Sequence, residues 1–360
     1  MRLSLRINRA VSAIALTIVC GLVIGVVPLG GSGVLHAQAT SVATEYGPPR
    51  GSLVIAGGGT LPGTGILEKW VELAGGPTKR FVIVPTAGGN RRPDGTLVRY
   101  DEAEVVAPFK ALGLTNVRML HTHDPKVADT ESFAAQLADA DGVWFVGGRQ
   151  WNLVDSYANT RTHAAFRAVL ERGGVIGGTS AGATIQGAYL VRGATTGSDV
   201  VMTDEPNHQE ALGFLRRSAI DQHIDARNRW DDLIPVIRRF PDLLGIGLSE
   251  GTAIVVRGDR FEVIGRWKVA VHDNTWAVQP WEKSWFVLNA GDVSERSCRT
   301  ERHHGVVADE ENRVRRRGPR AIGGAFAATE SLRRPLHEQP HREPCTVARP
   351  VGPRIEERPA

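Results

Sequence analysis

The residues best placed to do chemistry fall in one pentapeptide, Gly178-Thr179-Ser180-Ala181-Gly182. It reads G-x-S-x-G, follows an apolar run ending at Gly177, and precedes a segment with helical spacing from Ala183 to Tyr189. A turn from strand to helix is tight, and small neighbours let it close, so the serine Oγ is pushed out at the head of the helix, where it can attack a carbonyl. The helix start and the Ala181 N–H can then hold the oxyanion that forms. A serine hydroxyl needs a base, and the base needs a group that orients it. Downstream, Asp221-Gln222-His223 offers an imidazole in a polar cluster with Arg227 and Arg229, and Glu250 follows the run Gly245-Ile246-Gly247-Leu248-Ser249. The chain order is thus serine, histidine, acid. An esterase fold with the same elbow runs serine, acid, histidine, so the order argues against that fold.

These residues need strands to hold them. Short, continuous apolar runs occur at Leu53 to Ala56, Phe81 to Val84, Val117 to Leu120, Gly142 to Val146 and Gly174 to Ile176, most of them ending in glycines or a proline. Runs of this kind suit strands buried on both faces of a parallel sheet. Segments of helical spacing lie between them, at Ile66 to Leu73, Glu102 to Leu112, Ser132 to Ala138 and Thr162 to Leu170. Strand and helix alternate, which predicts an α/β three-layer sandwich with a mostly parallel sheet and function at the carboxyl ends of the strands. After Leu243 the pattern changes to a C-terminal β-hairpin region, Ala253 to Val256 and Phe261 to Ile264 about Gly258-Asp259, with further strands at Trp267 to Val271 and Trp285 to Leu288.

The two ends of the 360-residue chain differ from its middle. Arg2, Arg6 and Arg9 precede an apolar run from Val11 to Leu29 and an Ala37-Gln38-Ala39 pattern, the anatomy of a secretory signal peptide over residues 1–39. The expected location is secreted or periplasmic, with no stable membrane insertion once the signal is cleaved. Residues 40–51, with Gly47-Pro48-Pro49, read as a linker, 52–293 as one hydrolase domain, and 294–360 as an Arg- and Pro-rich disordered tail. The net charge of +4 resides in the two ends, which leaves the centre slightly acidic and unlike a nucleic-acid binder. Cysteines occur only at 20, 298 and 345, so the domain holds no disulfide, no cysteine metal site and no cysteine nucleophile. Gly57-Gly58-Gly59-Thr60 lacks the later glycine of a dinucleotide fingerprint and the lysine of a P-loop, and reads as a sheet-top turn bordering the site. His121-Thr122-His123-Asp124 has metal-ligand types but no third cluster to complete a site, and reads as pocket rim or surface.

Taken together, the motifs resemble the cyanophycinase and dipeptidase E family of serine peptidases from about Gly51 to Gly265. Gly57 to Thr60 is similar to the family's opening turn, Phe145 to Gln150 to its F-x-G-G-D-Q, Gly178 to Ala183 to its G-T-S-A-G-A, Asp221 to Arg229 to its D-Q-H-F-x-x-R-x-R, and Gly245 to Ala253 to its G-I-G-I-D-E-D-T-A. The resemblance implies a class I glutamine amidotransferase-like fold with Ser180 as nucleophile, His223 as base and acid, and Glu250 orienting His223. It implies an oxyanion hole from the Gly148 and Ala181 N–H groups and a pocket lined by Gln150, Asp221, Gln222, Arg227 and Arg229. It further implies a small peptide or β-aspartyl-linked substrate, with no metal and no cofactor, and leaves a homodimer open. The chain departs from the pattern at Arg149, Ile224, Asp232, Ser249 and Gly251. Those changes leave a second reading, a catalytically silent exported binding protein on the same scaffold, and a third, a serine esterase.

Overall fold

The structure is a computed structural model that describes residues 44–92, 94–274 and 283–295. The chain runs β1 (Ser52–Ala56), α1 (Ile66–Leu73), β2 (Arg80–Val84), α2 (Glu102–Lys110), β3 (Asn116–Met119), α3 (Pro125–Ala128), α4 (Glu131–Ala134), β4 (Gly142–Phe145), α5 (Gln150–Tyr157) and α6 (Arg161–Glu171). It continues through β5 (Val175–Thr179), α7 (Ala181–Thr184), β6 (Ser218–Gln222), α8 (Ile234–Arg239), β7 (Leu244–Leu248), β8 (Thr252–Arg257), β9 (Arg260–Gly265), β10 (Lys268–His272), β11 (Trp285–Asn289) and β12 (Val293–Glu295).

Eight strands form one sheet in the order β12-β9-β8-β1-β5-β4-β2-β3. The run from β1 to β3 is parallel throughout, and β8, β9 and β12 extend it antiparallel. The fold is therefore the expected α/β class with a large, mostly parallel sheet. Its strands are apolar on both faces because both are covered. Along β1, Leu53 and Ile55 join one apolar cluster and Val54 and Ala56 the other, and β2 divides in the same way. One face packs on Ile66 and Trp70 of α1 and Val106 and Phe109 of α2, with Trp70 4.8 Å from Phe81 and 5.2 Å from Trp144 between ring centroids. The other face packs on α5, α6 and α7. Alternating side chains thus enter two separate cores, the physical origin of runs with no polar alternation.

A second, four-stranded sheet, ordered β11-β10-β7-β6, was not foreseen as a separate layer. Within it β6 and β7 are parallel, so their carboxyl ends lie on the same side. The helix expected over Ala183 to Tyr189 instead occupies Ala181–Thr184. It stops because the following backbone is claimed elsewhere: the N–H groups of Ala188 and Tyr189 donate to the Ser218 carbonyl. The described part of the expected linker, residues 44–51, is fastened to the domain. Asp259 accepts from the Glu45 and Tyr46 N–H groups, and Arg216 donates to the carbonyls of Thr44, Glu45 and Gly47. The expected signal segment and all but the first two residues of the expected tail lie outside the described residues.

Candidate active site

Six strand ends converge on one place. β1 delivers Gly57-Gly58-Gly59, β2 delivers Thr86 to Gly88, β4 delivers Gly147-Gly148, β5 delivers Ser180, β6 delivers His223 and β7 delivers Glu250. Ser180 takes φ 56° and ψ −116°, a region that non-glycine residues rarely occupy. The strain is held by close backbone approach. A Cβ on Gly178 would lie 2.2 Å from the Gly182 carbonyl oxygen, and one on Gly182 would lie 2.1 Å from that of Phe145, so the turn closes only with glycine at both places. The Ser180 N–H continues the β5 ladder to the Ala56 oxygen, which fixes the elbow to the sheet.

Ser180 Oγ lies 2.8 Å from His223 Nε2, and His223 Nδ1 lies 2.6 Å from Glu250 Oε1. A carboxylate only accepts, so Nδ1 carries the proton and donates to Glu250, which leaves Nε2 free to accept from the serine hydroxyl. His223 is itself at positive φ, 57°, and its N–H donates to the Gly57 oxygen, tying the end of β6 to the end of β1. The glycine turn after β1 makes room for the pair. A Cβ on Gly58, where φ is +113°, would stand 2.1 Å from His223 Cε1, and one on Gly59 would stand 2.7 Å from Glu250 Oε2. Asp225 Oδ1 accepts from the Glu250 N–H at 3.0 Å and the Gly251 N–H donates to the Gly58 oxygen, so the acid is held from both sides. Burial pushes the His223 imidazole below its ordinary range. The Glu250 hydrogen bond opposes that shift, and the charges of Arg227 and Arg229 add to it.

A cleft of about 390 Å³ opens beside Ser180, lined by Gly88, Gly148, Arg149, Gln150, Ser198, Gln222 and Arg227. Among the described residues the amides of Gly148 and Ala181 donate to no other group. Of the five residues expected to line a pocket, Gln150, Gln222 and Arg227 border this cleft. Gln150 is nearly buried, and its amide nitrogen donates to the carbonyls of Val191 and Arg192.

Two expected pocket residues stand elsewhere. Asp221 is fully buried and does not line the cleft. Arg192 binds it in a bidentate pair, 2.9 Å on each arm, and the same guanidinium also pairs with Asp232. A carboxylate lost from water needs such a partner, and this one is therefore spent on structure. Arg229 is 6% exposed and outside the cleft lining, 3.9 Å from Asp221 and 3.8 Å from Asp199. Arg192 and Ser198 were missed. The available signal was a lone charge in the apolar run Leu190-Val191-Arg192, since an arginine buried there must find acids. His121 and His123 were expected at a rim. Their Nε2 atoms are 3.2 Å apart, His121 Nδ1 meets Thr86 Oγ1, and His123 Nε2 meets the Val98 oxygen, bracing the loop that carries Gly88. Among the described residues no group of three or more potential metal ligands occurs.

Residues 53–264 match Peptidase family S51. The cyanophycinase of Geminocystis herdmanii is 29% identical over 233 residues, which cover 62% of this chain and 81% of that protein. The cyanophycinase of Synechococcus elongatus is 30% identical over 249 residues, 66% of this chain and 73% of that one. The crystal structure of a peptidase from an acI-B1 Actinobacterium has the same fold, with a TM-score of 0.51 at 23% identity over 69% of this chain and 97% of that chain. With the family matched across most of the domain that builds the cleft, the chain belongs to Peptidase family S51 and is a serine-type peptidase.

Proposed function

We propose that the chain is an exported, cyanophycinase-like exopeptidase that hydrolyses amide bonds of small or β-aspartyl peptides through an acyl-enzyme on Ser180. The observation that carries this reading is the unbroken relay from Ser180 Oγ through His223 to Glu250. In the reaction, Oγ attacks the scissile carbonyl as its proton passes to His223 Nε2. The N–H groups of Gly148 and Ala181 face the developing oxyanion. His223 then gives that proton to the departing amine, and the C–N bond breaks. A water, deprotonated by the same Nε2, attacks the ester, and Ser180 leaves with the proton. Glu250 stabilises the imidazolium at each stage. The relay distinguishes this reading from a silent binding protein, which has no need of a strained serine aligned on an oriented histidine.

Substrate class rests on the named relatives and on the size of the cleft, which suits a dipeptide-sized ligand. Export rests on the sequence of residues 1–39. The test is turnover of matched α- and β-aspartyl dipeptides, read as release of both amino acids. Hydrolysis that disappears in Ser180→Ala is expected. No hydrolysis of any member by folded wild-type protein would remove the peptide reading. N-terminal sequencing of exported protein is expected to begin after Ala39.

A further inference from the structure

An oxyanion hole made of the Gly148 and Ala181 N–H groups needs each donor held in one direction, and Gly148 has no side chain to hold it. What lies against Gly148 is the peptide between Ala87 and Gly88. A Cβ on Gly148 would fall 1.9 Å from the Ala87 oxygen and 2.6 Å from the Gly88 nitrogen. The Arg149 N–H donates to the same Ala87 oxygen at 2.6 Å. The turn from Thr86 to Gly88 is therefore the seat of the Gly148–Arg149 peptide, and Thr86 anchors that turn. It is fully buried, and its hydroxyl lies 2.8 Å from His121 Nδ1 and 2.7 Å from Tyr157 Oη. Tyr157 ends α5, the helix that begins directly after Arg149, so the turn is gripped at both ends of that helix.

The proton positions along this chain follow from the Val98 oxygen. A carbonyl only accepts, so His123 Nε2, 3.0 Å away, carries a hydrogen. His121 Nε2, 3.2 Å from that nitrogen, must accept. Burial, with the charge of His123 adding to it, lowers His121 to about 4, so the ring is neutral and its one hydrogen sits on Nδ1. Nδ1 donates to Thr86 Oγ1, and the Thr86 hydrogen then goes to Tyr157 Oη. Tyr100 stands edge-on to His121, 4.6 Å between ring centroids, and donates to the Gly89 oxygen on the same loop. Each member of the chain orients the next.

We propose that Thr86, His121 and Tyr157 are positioning residues for the oxyanion hole: their hydrogen-bonded chain seats the Ala87 carbonyl against the Gly148–Arg149 peptide and so aims the Gly148 N–H at the oxyanion. The proposal rests on the peptidase reading of Ser180 and extends it to three side chains that do not line the cleft. Loosening the chain lets the turn shift. A small shift at the donor weakens its bond to the oxyanion far more than it weakens binding of the ground state. Gln150, Gln222 and Arg227, which border the cleft, lie outside the chain, so substrate affinity is spared.

The experiment reads two quantities in wild type and variants: kcat and KM for β-aspartyl-leucine, and the rate at which a fluorophosphonate, whose phosphoryl oxygen also enters the hole, labels Ser180. Thr86→Val and His121→Leu should each lower kcat and the labelling rate by about ten- to a hundred-fold, with KM little changed. Thr86→Ser keeps the hydroxyl and His121→Asn keeps a donor at the place of Nδ1, so both should recover most of the rate. Tyr157→Phe, which keeps the packing of the ring, should slow both reactions by less, and it carries the test should Thr86→Val not fold. Labelling at the wild-type rate in folded Thr86→Val or Tyr157→Phe, a loss confined to KM, or no recovery in Thr86→Ser and His121→Asn would each overturn the proposal. A wild type that labels at Ser180 but hydrolyses no dipeptide contradicts the peptidase reading, and the labelling rates still decide the role of the chain.

Discussion

At the scale of the residue, the chemistry turns on a neutral imidazole. Burial holds His223 below its ordinary range, so in the folded protein it stays a base at pH values where a free histidine is already protonated. The expected acidic limb of kcat/KM therefore lies below about 6.5, the ordinary histidine value, with activity lost as pH falls through it. Arg227 is one of the charges that lower it. Arg227→Gln should move that limb to higher pH in a pH–rate profile, whatever it does to the rate itself, and a limb that moved lower would contradict this assignment. Glu250→Gln removes the acceptor that sets the tautomer and is expected to lower kcat by roughly 10³- to 10⁴-fold, with KM changing much less. Ser180, His223 and Glu250 were legible in the sequence because each type has a defined role and each closes a strand. Asp221 was misplaced because burial cannot be read from Asp-Gln-His. Its partner Arg192 lies far upstream, on a segment with no motif of its own.

At the scale of the element, the site is built from strand ends and from turns that tolerate no side chain. Gly58→Ala would place a methyl on the His223 ring at a backbone angle that already disfavours alanine. Near-complete loss of peptide turnover is expected while the far-ultraviolet spectrum stays that of the wild type; retained activity would mean that the turn can move. Arg192→Leu should be much more damaging to stability. It strands buried Asp221 and leaves Asp232 without its partner, at a cost of about 3–5 kcal/mol in denaturant titration. The parallel strands were readable because both faces of the sheet are covered, and the runs therefore lack alternation. β6 was not, because Ser218-Ala-Ile-Asp-Gln222 is polar at three of five positions yet wholly buried. The helix after the elbow was overextended because local spacing says nothing about Ser218, whose carbonyl captures the next amides.

At the scale of the molecule, several histidines are carried folded in the neutral state. Burial lowers His121 and His272 to about 4, and it also lowers His163 and His223. The unfolded chain binds protons at these sites more readily, so their contribution to stability is present above about 6.5 and is lost as pH falls from there towards 4. His208 opposes this. Burial alone would lower it, but the bonds to Asp155 and Glu205 raise it, so its contribution is present below about 6.5 and fades as pH rises. Four sites against one predict a melting temperature that drops steadily between pH 7 and pH 4. A melting temperature that rose over that window would show these histidines to be charged when folded.

The central claim is that Ser180 is an activated nucleophile. Its most direct test is mass spectrometry of the folded protein after reaction with a fluorophosphonate probe, beside Ser180→Ala and His223→Ala. A single adduct on Ser180 is expected, absent in the first variant and formed far more slowly in the second. An adduct elsewhere, or peptide turnover that survives Ser180→Ala, would contradict it.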